Sequence, residues 1–529
     1  MTEEKGTYKK GLGFWHVVFL TIGAILGPAV AYIPVTVLAD GGPAGILAWP
    51  IAFLLILPIA FVYVELGTMW PRAGGVAYYP AKSHGAVVGT LNGWAAFVGY
   101  SLAMPAVVAA IVEYGSYYYP PFYNGTSLSY IGIAVSIAAV VIIFFINMRT
   151  ISLMGNVNNG LTIIKIIIVL AVSLALLAFF RSSNLTDLGG FAPMGASGVL
   201  LAVSATIFAY AGFRQPIDYA EEVHSPEKFL PRAIFVSLVF VMVFYLIESL
   251  AFLGTVNFHY LINTVIHPAA APTTYAGKWP LLSSLGFPFA SNSLYVGLAV
   301  FAVLAIVGVI IASFSDGIIY YGGAARVGNT LARYDQYFPK IFASINKNGI
   351  PVYSVALVLV ISVVYLILLP SFASVLSVFV DSVVFSYSPS AISLAVFRKK
   401  YPDIRRPYKL PAYRIVAPLS FVIGGLLIYW SGFTYVTISI MSIYVGLVFL
   451  LVYHKRKGLT KTDFMAGIWL PVYMIVVLGL SFIGSSNFGG IDLVVFPYDV
   501  ILFIIVTLVF YYIGYYSGLK YEGTGVEEA

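Results

Sequence analysis

The sequence predicts an all-α membrane protein that crosses the bilayer about fourteen times, and three observations carry this prediction. Of the 529 residues, 60% are hydrophobic and only 9% are charged, whereas soluble domains average about 25% charged residues. Apolar runs recur along the whole chain, each close to the ~20 residues that a helix needs to span a bilayer. Lysine and arginine concentrate in the loops on one side of these runs, as cytoplasmic loops do.

The apolar runs define the predicted spans and divide the chain. In order they are residues 14–38, 44–68, 88–115, 129–148, 158–180, 196–216, 230–254, 292–325, 351–369, 371–397, 414–432, 434–453, 464–483 and 498–518. The boundary between spans nine and ten depends on Pro370 alone. The resulting segments are an N-terminus (1–13), a core of two five-helix repeats (14–180 and 196–397), a basic loop (398–413), four additional helices (414–518) and an acidic tail (519–529).

The basic residues place both termini in the cytoplasm. With the N-terminus inside, only Arg181 and Lys278 fall on outer loops, while Lys165 and Arg214 lie within or at the edge of spans. The other lysines and arginines fall on the inner side, as the positive-inside rule expects. The net charge of +7 is therefore interpreted as juxtamembrane orientation in a multi-pass plasma-membrane protein, and not as a nucleic-acid surface.

Other classes of function find little support in the sequence. Cysteine is absent, which excludes disulfides, thiolate metal sites and a cysteine nucleophile. The six histidines are scattered without metal-ligand spacing, and no phosphate-binding glycine loop followed by Lys-Ser/Thr is present. The first apolar run resembles a signal peptide, but it continues past Ala31 and many more follow. We therefore expect no enzyme, no catalytic residue, no metal and no cofactor.

Glycine and proline interrupt two of the spans. Pro28 lies within the first one, where its ring and missing N–H argue against a continuous helix. Taken alone, this interruption is interpreted as a simple kink, since glycine and proline are common in membrane helices, and it is the second interrupted span that favours a break. Residues 208–216 interrupt span six in a similar way, with Gly212 and Pro216. Because these spans begin two successive groups of five, the groups would be inverted repeats. Paired interrupted spans of this kind indicate a substrate site at the midplane of a secondary transporter.

The exposed ends of such broken helices suit a zwitterionic amino acid. Free N–H groups at the positive end of a half-helix favour a carboxylate, and free carbonyls favour an ammonium group. The sequence alone thus indicates an amino acid or a related amine as the substrate.

Five motifs occur in a fixed order along residues 12–400. They are Gly23–Gly27; Glu65-Leu-Gly-Thr-Met-Trp-Pro-Arg-Ala-Gly-Gly75; Phe208–Gly212; Glu221-Glu222 with Pro226 and Pro231-Arg-Ala-Ile234; and Ala332-Arg-Tyr-Asp335 with Phe338-Pro339 and Gly349-Ile-Pro351. Together they resemble the amino acid–polyamine–organocation superfamily of transporters. The resemblance implies alternating access, with proton-coupled import expected. An amino acid exchanger, a channel, or a non-transporting sensor on the same fold are the alternatives.

The resemblance also implies the substrate-binding residues. They are the interrupted segments themselves, namely Gly23, Ala24, Ile25, Leu26 and Gly27 in span one and Phe208, Ala209, Tyr210, Ala211 and Gly212 in span six. Members of the superfamily usually carry a small polar residue and a glycine where this chain has Pro28 and Ala29. Pro28 cannot donate a hydrogen bond, so one donor of the expected carboxylate cradle is missing.

Charges inside spans suggest how transport could be coupled. Lys165 matches a lysine that many members carry on helix 5, where its ammonium can replace a sodium ion, bridge helices 1 and 8, and exchange a proton. The alternative is a lysine that snorkels to water. Asp316 on span eight is expected to pair with Lys165, and Ser313 completes the coupling set.

Further charges suggest a gate on the inner side. The candidates are Glu65, Arg214, Asp218 and Glu221, with Arg214 expected to pair with Asp218 or Glu221 more readily than with an anionic substrate group. Glu65 is interpreted as a brace or cap at the end of span two. Three other acidic residues are interpreted as charges of the outer rim rather than substrate-side groups, namely Glu113, Glu248 and Asp381.

Overall fold

The computed structural model describes residues 7–261, 264, 277–335, 338–368, 382–457 and 460–522. Within these ranges the chain is helical and has no strand apart from two isolated β-bridges. Eleven helical segments are long and apolar enough to cross a membrane, and two shorter apolar helices, Phe14–Ile25 and Val352–Leu368, accompany them. The protein is therefore an all-helical membrane protein. Fourteen spans and inverted repeats stay predictions, since the boundary at Pro370 lies outside the described residues.

The α-helices are numbered in chain order, and most coincide with predicted spans. They are α1 (Phe14–Ile25), α2 (Ala29–Gly41), α3 (Ala48–Met69), α4 (Gly75–His84), α5 (Ala86–Gly115), α6 (Tyr130–Asn147), α7 (Ile151–Leu177), α8 (Gly195–Ala209), α9 (Gln215–Asp218), α10 (Pro226–Thr255), α11 (Phe258–Leu261), α12 (Pro288–Tyr295), α13 (Ala299–Thr330), α14 (Val352–Leu368), α15 (Ser388–Lys400), α16 (Tyr413–Ser431), α17 (Phe433–Lys457), α18 (Lys461–Gly467), α19 (Trp469–Ile483) and α20 (Tyr498–Lys520).

Helices α5 and α13 form the centre of the bundle. Nearly all of α5 is buried, and α13 packs against α5 and α7. Glycines allow this close approach: a Cβ on Gly93 would lie 2.5 Å from Leu331, and one on Gly328 would lie 2.8 Å from Phe97. Helices in lipid associate through tight packing rather than through a hydrophobic driving force, so small residues at the contacts are what the packing needs.

The interrupted helices lie directly against this centre. Helix α1 packs on α7, α10 and α13, and α2 packs on α8 and α10. The last four spans surround the other side, where α16, α17 and α20 pack on α3, α5 and α15. The two breaks are therefore held in the protein interior, where backbone groups freed from a helix can find partners.

Residues 7–13 define one face of the bundle, which we call the N-terminal side. There the Gly11 and Leu12 N–H groups donate to the carbonyl of Glu222 at 2.9 and 3.1 Å, and the His224 N–H donates to the Leu12 carbonyl at 3.0 Å. The segment before α1 is thus joined by backbone hydrogen bonds to the loop after α9, so both interrupted spans are tied together on the N-terminal side.

Candidate transport site

The first interruption lies between α1 and α2. Ile25 is the last residue of α1, and the Leu26 N–H donates to the carbonyl of Ile22 at 2.8 Å to close the helix. Helix α2 begins at Ala29, with Pro28 immediately before it at φ −60° and ψ −17°. Because Pro28 has no N–H, α1 cannot continue through it. The predicted break in this span is confirmed.

The second interruption lies directly beside the first. Helix α8 ends at Ala209, and Ala211–Arg214 form a 3₁₀ turn before α9 begins. A Cβ placed on Gly212 would overlap the carbonyl group of Ala24 and lie 2.7 Å from the nitrogen of Ile25. The two breaks therefore meet backbone to backbone, and Gly212 is the point of contact.

Lys165 connects the first break to its neighbours. Its ammonium donates to the carbonyls of Gly23 and Leu26 at 2.9 and 2.7 Å, and to the hydroxyl of Ser315 at 3.2 Å. The side chain is only 1% exposed, so it does not reach solvent as a snorkelling lysine would. Lys165 thus links α7 to the end of α1 and to the middle of α13.

The expected ion pair between Lys165 and Asp316 is not formed. An ion pair requires a carboxylate oxygen within 4.0 Å of the nitrogen of a basic group. Among the described residues, no oxygen of Asp316 meets this distance. Successive helix residues point about 100° apart, and it is Ser315 that faces the lysine. Asp316 faces Gly27 instead, where a Cβ would overlap its carboxylate, and its Oδ1 has no partner in the described chain. Ser313 is buried and makes no bond to Lys165.

Around the first break, some backbone groups have hydrogen-bond partners and one does not. The Lys165 ammonium donates to the carbonyls of Gly23 and Leu26, as described above. The Tyr245 hydroxyl donates to the carbonyl of Ile25 at 3.2 Å. The N–H of Gly27 donates to no group in the described part of the chain. It lies at the positive end of the α2 dipole, which favours an anionic group, and the Asp316 carboxylate already faces this position from α13.

Comparison with known families decides what kind of protein carries this site. The family model of amino acid permeases matches residues 12–438, which is most of the chain and includes both breaks. The chain belongs to the amino acid permease family. The resemblance seen in the sequence motifs is therefore confirmed, and the permease is a transport protein of the membrane.

Curated relatives of the permease agree with this assignment. The glutamate/serine transporter AimA of Bacillus subtilis (strain 168) is 29% identical over 525 residues, which covers 97% of this chain and 94% of the relative. The aspartate-proton symporter of the same organism is 29% identical over 528 residues, 98% of each chain. The aromatic amino acid transport protein AroP of Escherichia coli (strain K12) is 26% identical over 408 residues, 74% of this chain and 82% of AroP. All three are transporters, which supports at the family level the expectation that the chain is not an enzyme.

Below the second break, the permease buries Arg214 completely. The guanidinium lies 3.7 Å from the carboxylate of Asp218 and donates to the hydroxyl of Tyr100 at 3.0 Å, which itself donates to Asp218 at 2.7 Å. It also lies 4.5 Å from the ring centroid of Tyr387 and donates to Ser386 at 2.8 Å. Of the two partners expected for Arg214, the structure selects Asp218. Each guanidinium nitrogen has a partner within the protein.

Glu221 does not pair with Arg214. Its carboxylate lies 3.4 Å from Arg333 instead. The neighbouring Glu222 forms a buried pair with Arg326, whose Nη2 donates to Oε1 at 2.8 Å. Burial raises the pKa of the Glu222 carboxyl, and the Arg326 guanidinium opposes that rise. On the N-terminal side, these pairs join the loop after α9 to the end of α13 and to the segment that follows it.

Glu65 belongs to a separate cluster. Arg398 donates to both of its oxygens at 2.6 Å, Arg406 lies 3.3 Å away, and the N–H of Leu410 donates to it at 2.7 Å. The carboxylate therefore fastens the end of α3 to the basic loop that follows α15, as a brace would. Its place in a gate stays a prediction.

Two acidic residues expected at the outer rim differ in their surroundings. Glu113 is partly exposed and accepts a bond of 3.4 Å from Tyr32. Glu248 is only 1% exposed, and its Oε2 has no partner in the described chain. The rim interpretation of Glu248 is therefore wrong, because α10 continues past it and carries its side chain inward. Asp381 and the side chain of Phe208 lie outside the described part of the structure.

Proposed function

We propose that this permease is a secondary active transporter that imports a small polar or acidic amino acid together with a proton by alternating access. The substrate would lie against residues 23–27 and 208–212. In this proposal the N-terminal side and both termini face the cytoplasm, as the distribution of basic residues predicts.

The observation that carries the proposal is the contact between the two breaks beside a buried lysine. The unpaired N–H of Gly27 at the start of α2 suits the carboxylate that all amino acids share. The nearby Lys165 ammonium adds positive charge at the same break. The choice of a small polar or acidic side chain is supported by the names of two relatives that match almost the whole chain, a glutamate/serine transporter and an aspartate-proton symporter.

Coupling to protons is assigned to the same lysine. Its ammonium occupies carbonyls at the end of α1 and a hydroxyl of α13, so loss of its proton would weaken the link between these helices. A buried site that gains and loses a proton during each cycle can tie proton movement to helix movement. The name of one relative, the aspartate-proton symporter, supports a proton as the coupling ion.

Uptake into liposomes tests the proposed function. Purified protein is reconstituted and offered labelled L-aspartate, L-glutamate or L-serine, with an acidic outside and without sodium. Accumulation against the gradient, abolished by a protonophore, is the expected result. Exchange of labelled for unlabelled substrate without net accumulation would show an exchanger, and absence of both with all protein amino acids would contradict transport.

Replacing Pro28 by serine tests the carboxylate cradle. Serine restores an N–H at the start of α2 in a backbone conformation that it adopts without strain. One added hydrogen bond is worth about 0.5–1.5 kcal/mol, so the dissociation constant for the transported amino acid should fall by up to about tenfold. Thermal-shift titration measures it. Pro28→Ala, which adds the N–H alone, should behave alike, and weaker binding by both variants would show that the proline serves to shape the break.

A further inference from the structure

A small cavity lies beyond the breaks, on the side away from the N-terminus. It is lined by residues of α2, α5, α7, α10, α12 and α13, and aliphatic or aromatic side chains form most of its wall. Its polar wall consists of Glu248, Ser173 and Tyr114. The cavity has room for roughly one or two water molecules, which is too small for an amino acid but sufficient for a proton carried by water.

Glu248 lines this cavity, and no cation of the described chain lies beside it to balance a negative charge. Among the described residues, its Oε2 has no hydrogen-bond partner, and no lysine, arginine or histidine lies within ion-pair distance of the carboxylate. The titratable groups that face it are Tyr245 on its own helix and Tyr114 from α5. Lys165 on α7 is held at the first break, and Asp316 on α13 faces Gly27. An ionised carboxylate that is only 1% exposed and has no neighbouring cation is strongly disfavoured, so the neutral form of Glu248 is favoured in this arrangement.

The turn that carries Glu248 is fixed against the first break. Tyr245, one turn earlier, donates to the carbonyl of Ile25 at 3.2 Å. Trp49 stacks on that tyrosine with ring centroids 4.3 Å apart and donates to Ser249 at 2.8 Å. The opposite wall of the cavity includes Val30 and Ala31 in the first turn of α2. A charge on Glu248 would therefore be close to the end of α2 that is assigned to the substrate carboxylate.

We propose that Glu248 is a second proton-binding site, loaded from the side away from the N-terminus, whose protonation admits the substrate carboxylate to the start of α2. An ionised Glu248 repels that carboxylate and competes for the positive end of α2, whereas a neutral one does neither. By linkage, the proton and the substrate each raise the affinity for the other. This inference rests on the proposed function for its substrate, while the proton site itself does not depend on it.

Infrared spectroscopy of the purified protein tests the proton site without any transport assay. The native protein is expected to show the carbonyl stretch of a neutral carboxylic acid that disappears as the pH is raised. Part of this band should be missing in Glu248→Gln. Other carboxyls are buried as well, among them those of Asp218, Glu222 and Asp316, so the difference between the native and variant spectra is the quantity to be read. An identical spectrum in the variant would overturn the assignment.

Transport by the same variant tests the coupling. In native protein, initial uptake should rise by up to about tenfold per unit fall in outside pH when one proton must bind. Glu248→Gln should keep exchange at equal pH but lose the rise in uptake with falling pH. Glu248→Asp should keep that rise, with its midpoint at a different outside pH. Glu113→Gln is the matched control, since Glu113 is a partly exposed carboxylate of the same side, and it should follow the native profile.

Three results would contradict the coupling role. A Glu248→Gln profile equal to the native one would show that the carboxyl does not take part. Loss of exchange in folded Glu248→Gln would assign the carboxylate to the substrate ammonium group. If Glu248→Gln does not fold, the proposal is overturned by a Glu248→Asp variant whose uptake has the same pH midpoint as that of the native protein. Absence of transport in the native protein would contradict the proposed function, and the infrared result would still decide the proton site.

Discussion

Replacing Gly212 by valine is expected to abolish uptake while leaving the protein inserted in the membrane. A Cβ at this position would overlap the carbonyl group of Ala24 and lie 2.7 Å from the nitrogen of Ile25. Both neighbours are backbone atoms of α1, which cannot move aside as a flexible side chain can. The two breaks would therefore be forced apart at the point where they meet. Uptake into liposomes measures the loss, and size-exclusion chromatography checks the fold.

The same reasoning extends to smaller side chains and supplies a control. Gly212→Ala already adds the overlapping atom, so it should also lose most of its uptake. Gly160 on α7 has no atom within 4 Å of an added Cβ, and Gly160→Val should transport normally. Native-like uptake by Gly212→Ala would show that the contact between the breaks is not needed for transport.

Replacing Lys165 by alanine is expected to remove pH-driven accumulation. The change leaves the carbonyls of Gly23 and Leu26 without their donor, and each buried polar group left unpaired costs about 1–3 kcal/mol. The link between α1 and α13 through Ser315 is lost at the same time. Accumulation under an acidic outside pH should fall to the level of empty liposomes, while exchange at equal pH should persist because no proton has to move.

Lys228→Ala is the matched control, since Lys228 is exposed on α10 and should tolerate the change. An alanine variant at position 165 that still concentrates substrate would reduce Lys165 to a structural residue. A requirement for sodium in the native protein would contradict proton coupling altogether.

Both helix breaks could be predicted from the sequence because their cause is local. Pro28 stops a helix whatever surrounds it, and the interrupted spans stand out against uniformly apolar neighbours. The reason for Gly212 could not be predicted in the same way. The glycine does not occupy a positive φ, and what requires it is the backbone of Ala24, nearly two hundred positions away in the chain.

Partners of buried charges were predicted less well, for two physical reasons. Sequence gives the position of a residue along a helix but not the face it occupies once the helix is packed. Asp316 was therefore expected to face Lys165 where Ser315 does, and Glu248 was expected to point outward. Arg326 was missed because its span was predicted to end at residue 325, whereas α13 continues to Thr330 and carries it inside.

The backbone bonds between the segment before α1 and the loop after α9 have a consequence for the symmetry of the carrier. If the N-terminal side opens by separating these two segments, Gly11, Leu12 and His224 give up these bonds as it opens. In a carrier that works by alternating access, the apparent affinity on one side is the intrinsic affinity reduced by the fraction of molecules open to that side. If about one molecule in a hundred is open there, substrate on the N-terminal side binds roughly a hundredfold more weakly than its contacts would give. A few hydrogen bonds remote from the substrate can thus make the two faces of the carrier unequal without any difference between the binding residues.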